Sequence, residues 1–307
     1  MGAWINTTNH IDIANEHLDN GLLKFYSYKE IDNAFIDAIR NNEKLTHIQI
    51  SGALPEGGYQ AIDRIIAARP DLYFRIFGLY SDESFDISFL KSMPHLHKLW
   101  IDCHLSAKPN LIDFSVLPQL QLTGLRLHCF DLLDYGFVQD LSEGMGELDI
   151  QADTSGKSVR FDCEWLLRFR KLNTLRLGQK AKKHLEVISQ LTGLTSLSLR
   201  GIKLTDFTFL KGMNLESFAL LWNSNSDLHD LADLKSLREI ELWRINKLDN
   251  IDFMSSLVNL EIIKLQDLKH VTVLPNLSKL RNLKKICLID TGIKDIPDEY
   301  KPLLFRL

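Results

Sequence analysis

One six-residue pattern constrains this chain more than any other feature. It reads L-x-x-L-x-L, where L stands for Leu, Ile, Phe or Met. Copies begin at Leu45, Phe74, Leu96, Leu122, Met145, Leu172, Leu194, Leu215, Leu237, Leu260 and Leu283, spaced 21–29 residues apart. The last three positions of the pattern alternate as in a strand, with apolar side chains on one face. One such strand cannot bury that face alone, whereas parallel copies stacked side by side close a shared core. Leucine usage follows the pattern: of 54 leucines, the first hundred residues hold 10 and residues 101–150 alone hold 11. The core is therefore predicted to be a row of thin slices rather than one globule.

The connecting segments repeat too. Asp86-Ile87-Ser88-Phe89-Leu90-Lys91-Ser92-Met93 returns as Asp206-Phe207-Thr208-Phe209-Leu210-Lys211-Gly212-Met213, with an echo at Ile251–Leu257. A 22-residue copy leaves about ten residues to bring the chain back, which favours a 3₁₀ or extended crossover over an α-helix. The longer early copies leave room for helices. Ala61, Ile62, Ile65 and Ile66 predict one over 58–69, stopped by Pro70. Residues 1–44 lack the pattern. Ser27-Tyr28-Lys29-Glu30 has the form of a capping box, and Ile31, Phe35 and Ile39 follow on one helical face. A helix over about 28–41 and a strand near Leu22–Tyr26 are expected to cap the first repeat. The division predicted is a cap at 1–44, a solenoid of about eleven repeats at 45–295 and a tail at 296–307 that caps or folds back.

These motifs resemble the leucine-rich repeat family, and the 21–23-residue spacing of the later copies is similar to the short repeats of bacterial internalins. The resemblance covers about residues 45–290. It implies an α/β solenoid: a horseshoe with a parallel concave β-sheet, a helical convex side early and a 3₁₀ or extended convex side later. One departure stands out. Where the family usually places Asn, three residues after the last apolar slot, this chain has Ala53, Asp82, His104, Phe130, Asp153, Lys180, Ile202, Asn223, Ile245, Leu268 and Thr291. With one Asn among them, the turn backbone must find other partners.

In such a fold the strand residues between the apolar slots point out of the inner curve. They form three columns, His47, Ile76, Lys98 and onward, then Gln49, Gly78, Trp100, and then Ser51, Tyr80, Asp102. Two clusters emerge as candidate partner-binding sites: Tyr80, Trp100, Arg126 and His128, and then Leu221, Trp222, Glu241 and Trp243, with Arg200 in the same column as Leu221 and Trp243. Exposed aromatics and arginines dominate binding hot spots. The column Arg126–Asp149–Arg176 reads equally as a cross-strand charge ladder.

Lys+Arg 36 against Asp+Glu 40 gives a net charge of −4, so no global field draws the chain to nucleic acid or membrane. The basic stretch Arg168, Arg170, Lys171, Arg176, Lys180, Lys182 and Lys183 is sent by the pattern to different sides of the coil. Asp102-Cys103-His104 beside His128-Cys129, with His95 and His97 upstream, could in principle hold a metal or a thiol nucleophile. The slot holding Cys103 and Cys129 turns inward, however, where cysteine packs as a small apolar residue. No Gly-rich phosphate loop is present. The N-terminal Met1–Asn6 stretch has no basic and apolar signal regions, and four scattered cysteines make no disulfide framework at this size. The expectation is a cytoplasmic, monomeric, non-catalytic scaffold without cofactor or metal that binds a protein through its concave face. A regulatory or immunity subunit with one cognate partner, and a Cys/His metal or thiol enzyme, are the alternatives.

Overall fold

A computed structural model describes residues 5, 8–78, 85–104, 112–154, 156, 158–204 and 206–305. The chain forms two compact units, residues 1–160 and 161–307.

In the first unit, β4 (His47–Ile50), β5 (Tyr73–Phe77), β6 (Lys98–His104), β7 (Gly124–Phe130) and β8 (Glu147–Ala152) run parallel, each paired with the next. The ladder begins earlier than the pattern. β1 (His10–Ala14) lies parallel to β4, and β3 (Lys24–Ser27) lies parallel on the far side of β1, edged by the two-residue antiparallel β2 (Leu18–Asp19). His10-Ile11-Asp12-Ile13-Ala14 alternates and buries its two isoleucines, but it has no leading Leu to announce it.

The capping box at Ser27 and Glu30 forms, yet it closes only a 3₁₀ turn at Tyr28–Glu30. Asp32 then restarts the chain: its Oδ1 accepts from the Phe35 amide at 2.8 Å and opens α1 (Asn33–Arg40). The single helix expected over 28–41 is thus two elements, with Ile31, Phe35 and Ile39 buried as one face. α2 (Glu56–Ala68) buries Ile62, Ile65 and Ile66 against α1. Past it, the Arg69 guanidinium donates to the carbonyls of Ile39 and Asn42 at 3.0 and 2.8 Å. Beyond α2 no further α-helix occurs among the described residues. The longer copies starting at Leu96 and Met145 carry 3₁₀ turns on the way back, at Phe114–Gln119 and Cys163–Arg168.

The second unit carries β9 (Thr174–Gln179), β10 (Ser196–Arg200), β11 (Ser217–Asn223), β12 (Glu239–Ile245), β13 (Ile262–Gln266) and β14 (Lys285–Ile289), parallel and in register at equivalent pattern positions. Leu175, Leu197, Phe218, Ile240, Ile263 and Ile286 make one buried row. The tail folds back on the open edge: Leu304 bridges Ile286, and the Phe305 amide donates to Ile286 O at 3.0 Å.

The missing asparagines are replaced on the crossover side. Asp86, Asp113, Asp134, Asp162, Asp206, Asp227 and Asn250 each accept, through a side-chain oxygen, the amide two residues on, which starts the following 3₁₀ turn. Asn223 does what the family residue is expected to do. Its amide donates to Ile202 O at 2.8 Å while its oxygen accepts from Ser224 and Asn225.

Candidate functional site

Strand alternation places one set of side chains in the core and the other on the open face of each sheet. The second copy lies three residues from its expected register. β4 pairs His47 with Tyr73 and Gln49 with Arg75, so the second copy starts near Asp71 rather than at Phe74. An odd slip exchanges the two faces. Ile76, expected outside, is fully buried, while Tyr73, Arg75 and Phe77 take the outward positions. Cys287 keeps its expected column, opposite Lys264, and is buried there. Tyr80 lies outside the described residues.

The first unit gathers its cluster around Trp100. The Arg75 guanidinium lies 3.9 Å from the Trp100 ring centre and that of Arg126 5.4 Å from it, while Arg126 also covers Tyr73 at 4.0 Å. Such contacts contribute about 0.5–2 kcal/mol each, more where water is excluded. His47 and His128 meet the same indole at 5.3 and 5.4 Å, and His10 stacks on His47 at 5.3 Å. Arg75 also ion-pairs with Asp102 and donates to Gln49, whose amide donates to Asp12. Trp100, Arg126 and His128 are therefore brought together, and Arg75, Tyr73, His47 and His10 join them.

Of the column expected as a charge ladder, Arg126–Asp149–Arg176, the first unit carries Arg126 and Asp149. The two are register partners, but Arg126 turns onto the aromatic rings and Asp149 lies 3.1 Å from His128 Nε2, off the line of a hydrogen bond. Below this row, Glu147 accepts from Tyr73 at 2.8 Å and pairs with Lys98 at 2.5 Å. Burial works to raise the Glu147 carboxyl, and these two donors outweigh it, leaving the carboxyl below its ordinary value. Burial, then the charges of Arg75, His10 and Arg126, lower His47 to about 4.

The second unit builds its cluster at the ends of the strands. Gln179, Gly201, Trp222, Arg244, Asp267 and Asp290 all adopt positive φ, one per strand from β9 to β14. This left-handed step turns each side chain away from the core, in the slot where the first unit buries Cys103 and Cys129. Trp222, at φ 55°, is 37% exposed. Arg200 lies over its ring at 4.0 Å, Arg244 at 5.4 Å, and Trp243 meets it edge-on at 5.8 Å. Arg244 is held in turn by Asp267 at 2.7 Å. Leu221 sits opposite Trp243 in the register, and Glu241 lies between Ala219 and Lys264 rather than against the tryptophans. Arg244 escaped the sequence reading because no periodicity marks a residue whose backbone, not its spacing, points it outward.

Among the described side chains, His104 not being one of them, the thiols show no catalytic geometry. Cys103 and Cys129 lie 3.6 Å apart, buried and unbonded, and the neighbouring thiol together with burial pushes Cys129 well up, whereas a nucleophilic thiol needs the opposite shift. His128 projects from the other face of the same strand. Asp162, Glu164 and His184 bring ligand atoms within 4.8 Å of one another. Asp162 is already engaged, accepting from the Glu164 amide, from His184 and from Lys183 at 2.8 Å. In the basic stretch Arg168, Arg170 and Lys171 precede β9, Arg176 lies within it, and Lys180, Lys182 and Lys183 follow it. Among the described residues no helix is long and apolar enough to cross a membrane.

No protein-family model matches the sequence, and no curated protein matches it. Among solved structures the chain is similar to internalin C2 from Listeria monocytogenes, at 21% identity over 57% of this chain and 76% of that one, with a TM-score of 0.46. It is also similar to internalin F of the same organism, at 18% identity over 88% and 82%, TM-score 0.48. A leucine-rich repeat protein of Leptospira interrogans shares 16% identity over 88% and 91%, TM-score 0.39.

Proposed function

We propose that this chain, a leucine-rich repeat protein by its pattern and its ladders of in-register parallel strands, is a non-catalytic scaffold that binds a protein partner through the open faces of its sheets. Trp222 carries the reading. A bulky residue in the left-handed region costs about 1–2 kcal/mol relative to glycine, yet here it holds an exposed indole clamped between two arginines and a second tryptophan. Ordered aromatics of this kind lose little entropy on binding and supply most of an interface's energy. The Trp100 cluster is the second candidate surface, with Arg126 and His128 beside it. Four unbonded cysteines support a reducing, cytoplasmic setting within the same reading.

Affinity capture from the native host, with mass spectrometry of what is retained, tests the proposal. The wild-type chain is expected to retain one dominant protein. Alanine at Trp100 and Trp243 together, in a protein whose circular dichroism is unchanged, should lower that retention at least about tenfold. Unchanged retention by the folded variant overturns the reading.

A further inference from the structure

The Trp100 surface depends on one imidazole remaining neutral. His47 is 9% exposed. Its Nδ1 lies 2.9 Å from Thr46 Oγ1, and Thr46 donates its only proton to Asn9 O at 3.0 Å. Thr46 must therefore accept from His47, so Nδ1 carries the hydrogen and Nε2 holds a lone pair. That Nε2 is buried and has no partner. The ring is sandwiched between His10, nearly parallel at 11°, and Trp100, tilted at 58°.

The charges around the ring are fixed by four strands. β1 contributes His10 and Asp12, β5 Arg75, β6 Asp102, and β7 Arg126 and His128. Both carboxylates are committed elsewhere, Asp12 to the Gln49 amide and Asp102 to Arg75. A proton on Nε2 would place a cation beside two guanidinium groups, and the one side chain that favours it, Gln49, already gives its oxygen to Arg75 and its amide to Asp12, an arrangement that low-dielectric surroundings penalise. The ring escapes the penalty only by leaving.

We propose that His47 is a proton-operated latch: neutral, it holds His10 and Trp100 in their stack; protonated at Nε2, it swings to solvent and releases Trp100 from the arginines that clasp it. Acid would thereby dismantle one open face while the strands beneath stay paired. The latch is internal to the first unit, so its readout needs no partner and is independent of the recognition reading.

The test is nuclear magnetic resonance on the full-length, ¹⁵N-labelled chain, following the His47 imidazole and the Trp100 indole N–H from neutral pH down through pH 4. Both signals are expected to move together with a midpoint near 4. Arg75→Gln, which removes a repelling cation, should move that midpoint upward for both. In His47→Asn the Trp100 signal should lose this transition; should that variant not fold, the Arg75→Gln arm decides. A Trp100 signal that stays still while His47 titrates, or a midpoint indifferent to Arg75→Gln, overturns the latch.

Discussion

The Tyr73 hydroxyl reaches Glu147 Oε2 at 2.8 Å from three strands away, passing over the bare backbone of Gly124. A Cβ at position 124 would lie 2.8 Å from that hydroxyl and 3.1 Å from the Lys98 stem. The glycine is a gap that allows Tyr73, Lys98 and Glu147 to meet. Gly124→Val is expected to cost about 1–3 kcal/mol in urea unfolding. Gly124→Ala should cost less in a Tyr73→Phe background than in the wild type, since the nearest obstructing atom has gone. Equal costs in both backgrounds would show that the gap serves some other contact.

At Trp222 backbone and side chain pull in opposite directions. The left-handed backbone favours Gly, Asn or Asp, as its equivalents Gly201, Asp267 and Asp290 illustrate, while the indole is held by Arg200 and Trp243. Trp222→Asn should keep unfolding stability within about 1 kcal/mol of wild type, relief of strain offsetting the lost stacking. Trp222→Val should fall further, by about 1–2 kcal/mol, because a β-branched residue tolerates this φ worst. Thermal or urea melts of the two variants side by side decide the matter. Indistinguishable melts would mean that the left-handed turn is not retained around residue 222.

How much of this was legible follows from what a linear pattern can encode. Period-two alternation with an apolar anchor three residues earlier located β6 to β14, because burial on one face leaves that mark. It failed at β5, because Asp71 occupies the leading slot of the true register while Phe74, Phe77 and Leu79 complete the pattern three residues later. Arg75, set between Phe74 and Ile76, marks the true register, since a guanidinium cannot face a dry core. The row from Gln179 to Asp290 carries a partial signature, Gly201, Asp267 and Asp290, that does not extend to Trp222 or Arg244. Its members share a backbone angle, not a side-chain chemistry, so Arg244 could be found only in three dimensions. The aspartates that start the 3₁₀ turns were in plain view in the Asp86 and Asp206 segments, but their role as substitutes for the missing asparagines depends on knowing which amides they meet.

His47 also sets the direction of the protein's pH response. Its folded value, about 4, is below the 6.5 of a free imidazole. Between those values the unfolded chain binds a proton that the folded chain refuses, so its contribution to stability is complete above about pH 6.5 and is lost progressively as pH falls towards 4. Carboxylates titrate in the lower part of this window and must be separated by difference. His47→Asn should therefore lose less stability than wild type between pH 7 and about 5, measured by urea midpoints at each pH. Parallel losses in the two proteins would remove His47 from the account.

The four cysteines provide the last prediction, because burial and reactivity are tied through the thiolate. Cys103, Cys129, Cys163 and Cys287 are all buried and unbonded. Cys163 is pushed up to about 12 by burial first and then by Asp162 and Glu186. Cys129 is raised by the hydrogen bond with Cys103 and by burial. Only the thiolate attacks a disulfide reagent, so the folded protein near neutral pH should release almost no colour with dithionitrobenzoate, and unfolding in urea should release four equivalents. Cys103 and Cys129 should react together rather than singly, because exposing one means separating β6 from β7, and each sulfur packs against the other at 3.6 Å. One thiol titrating readily in the folded state would place it outside the core and reopen the question of thiol chemistry on this scaffold.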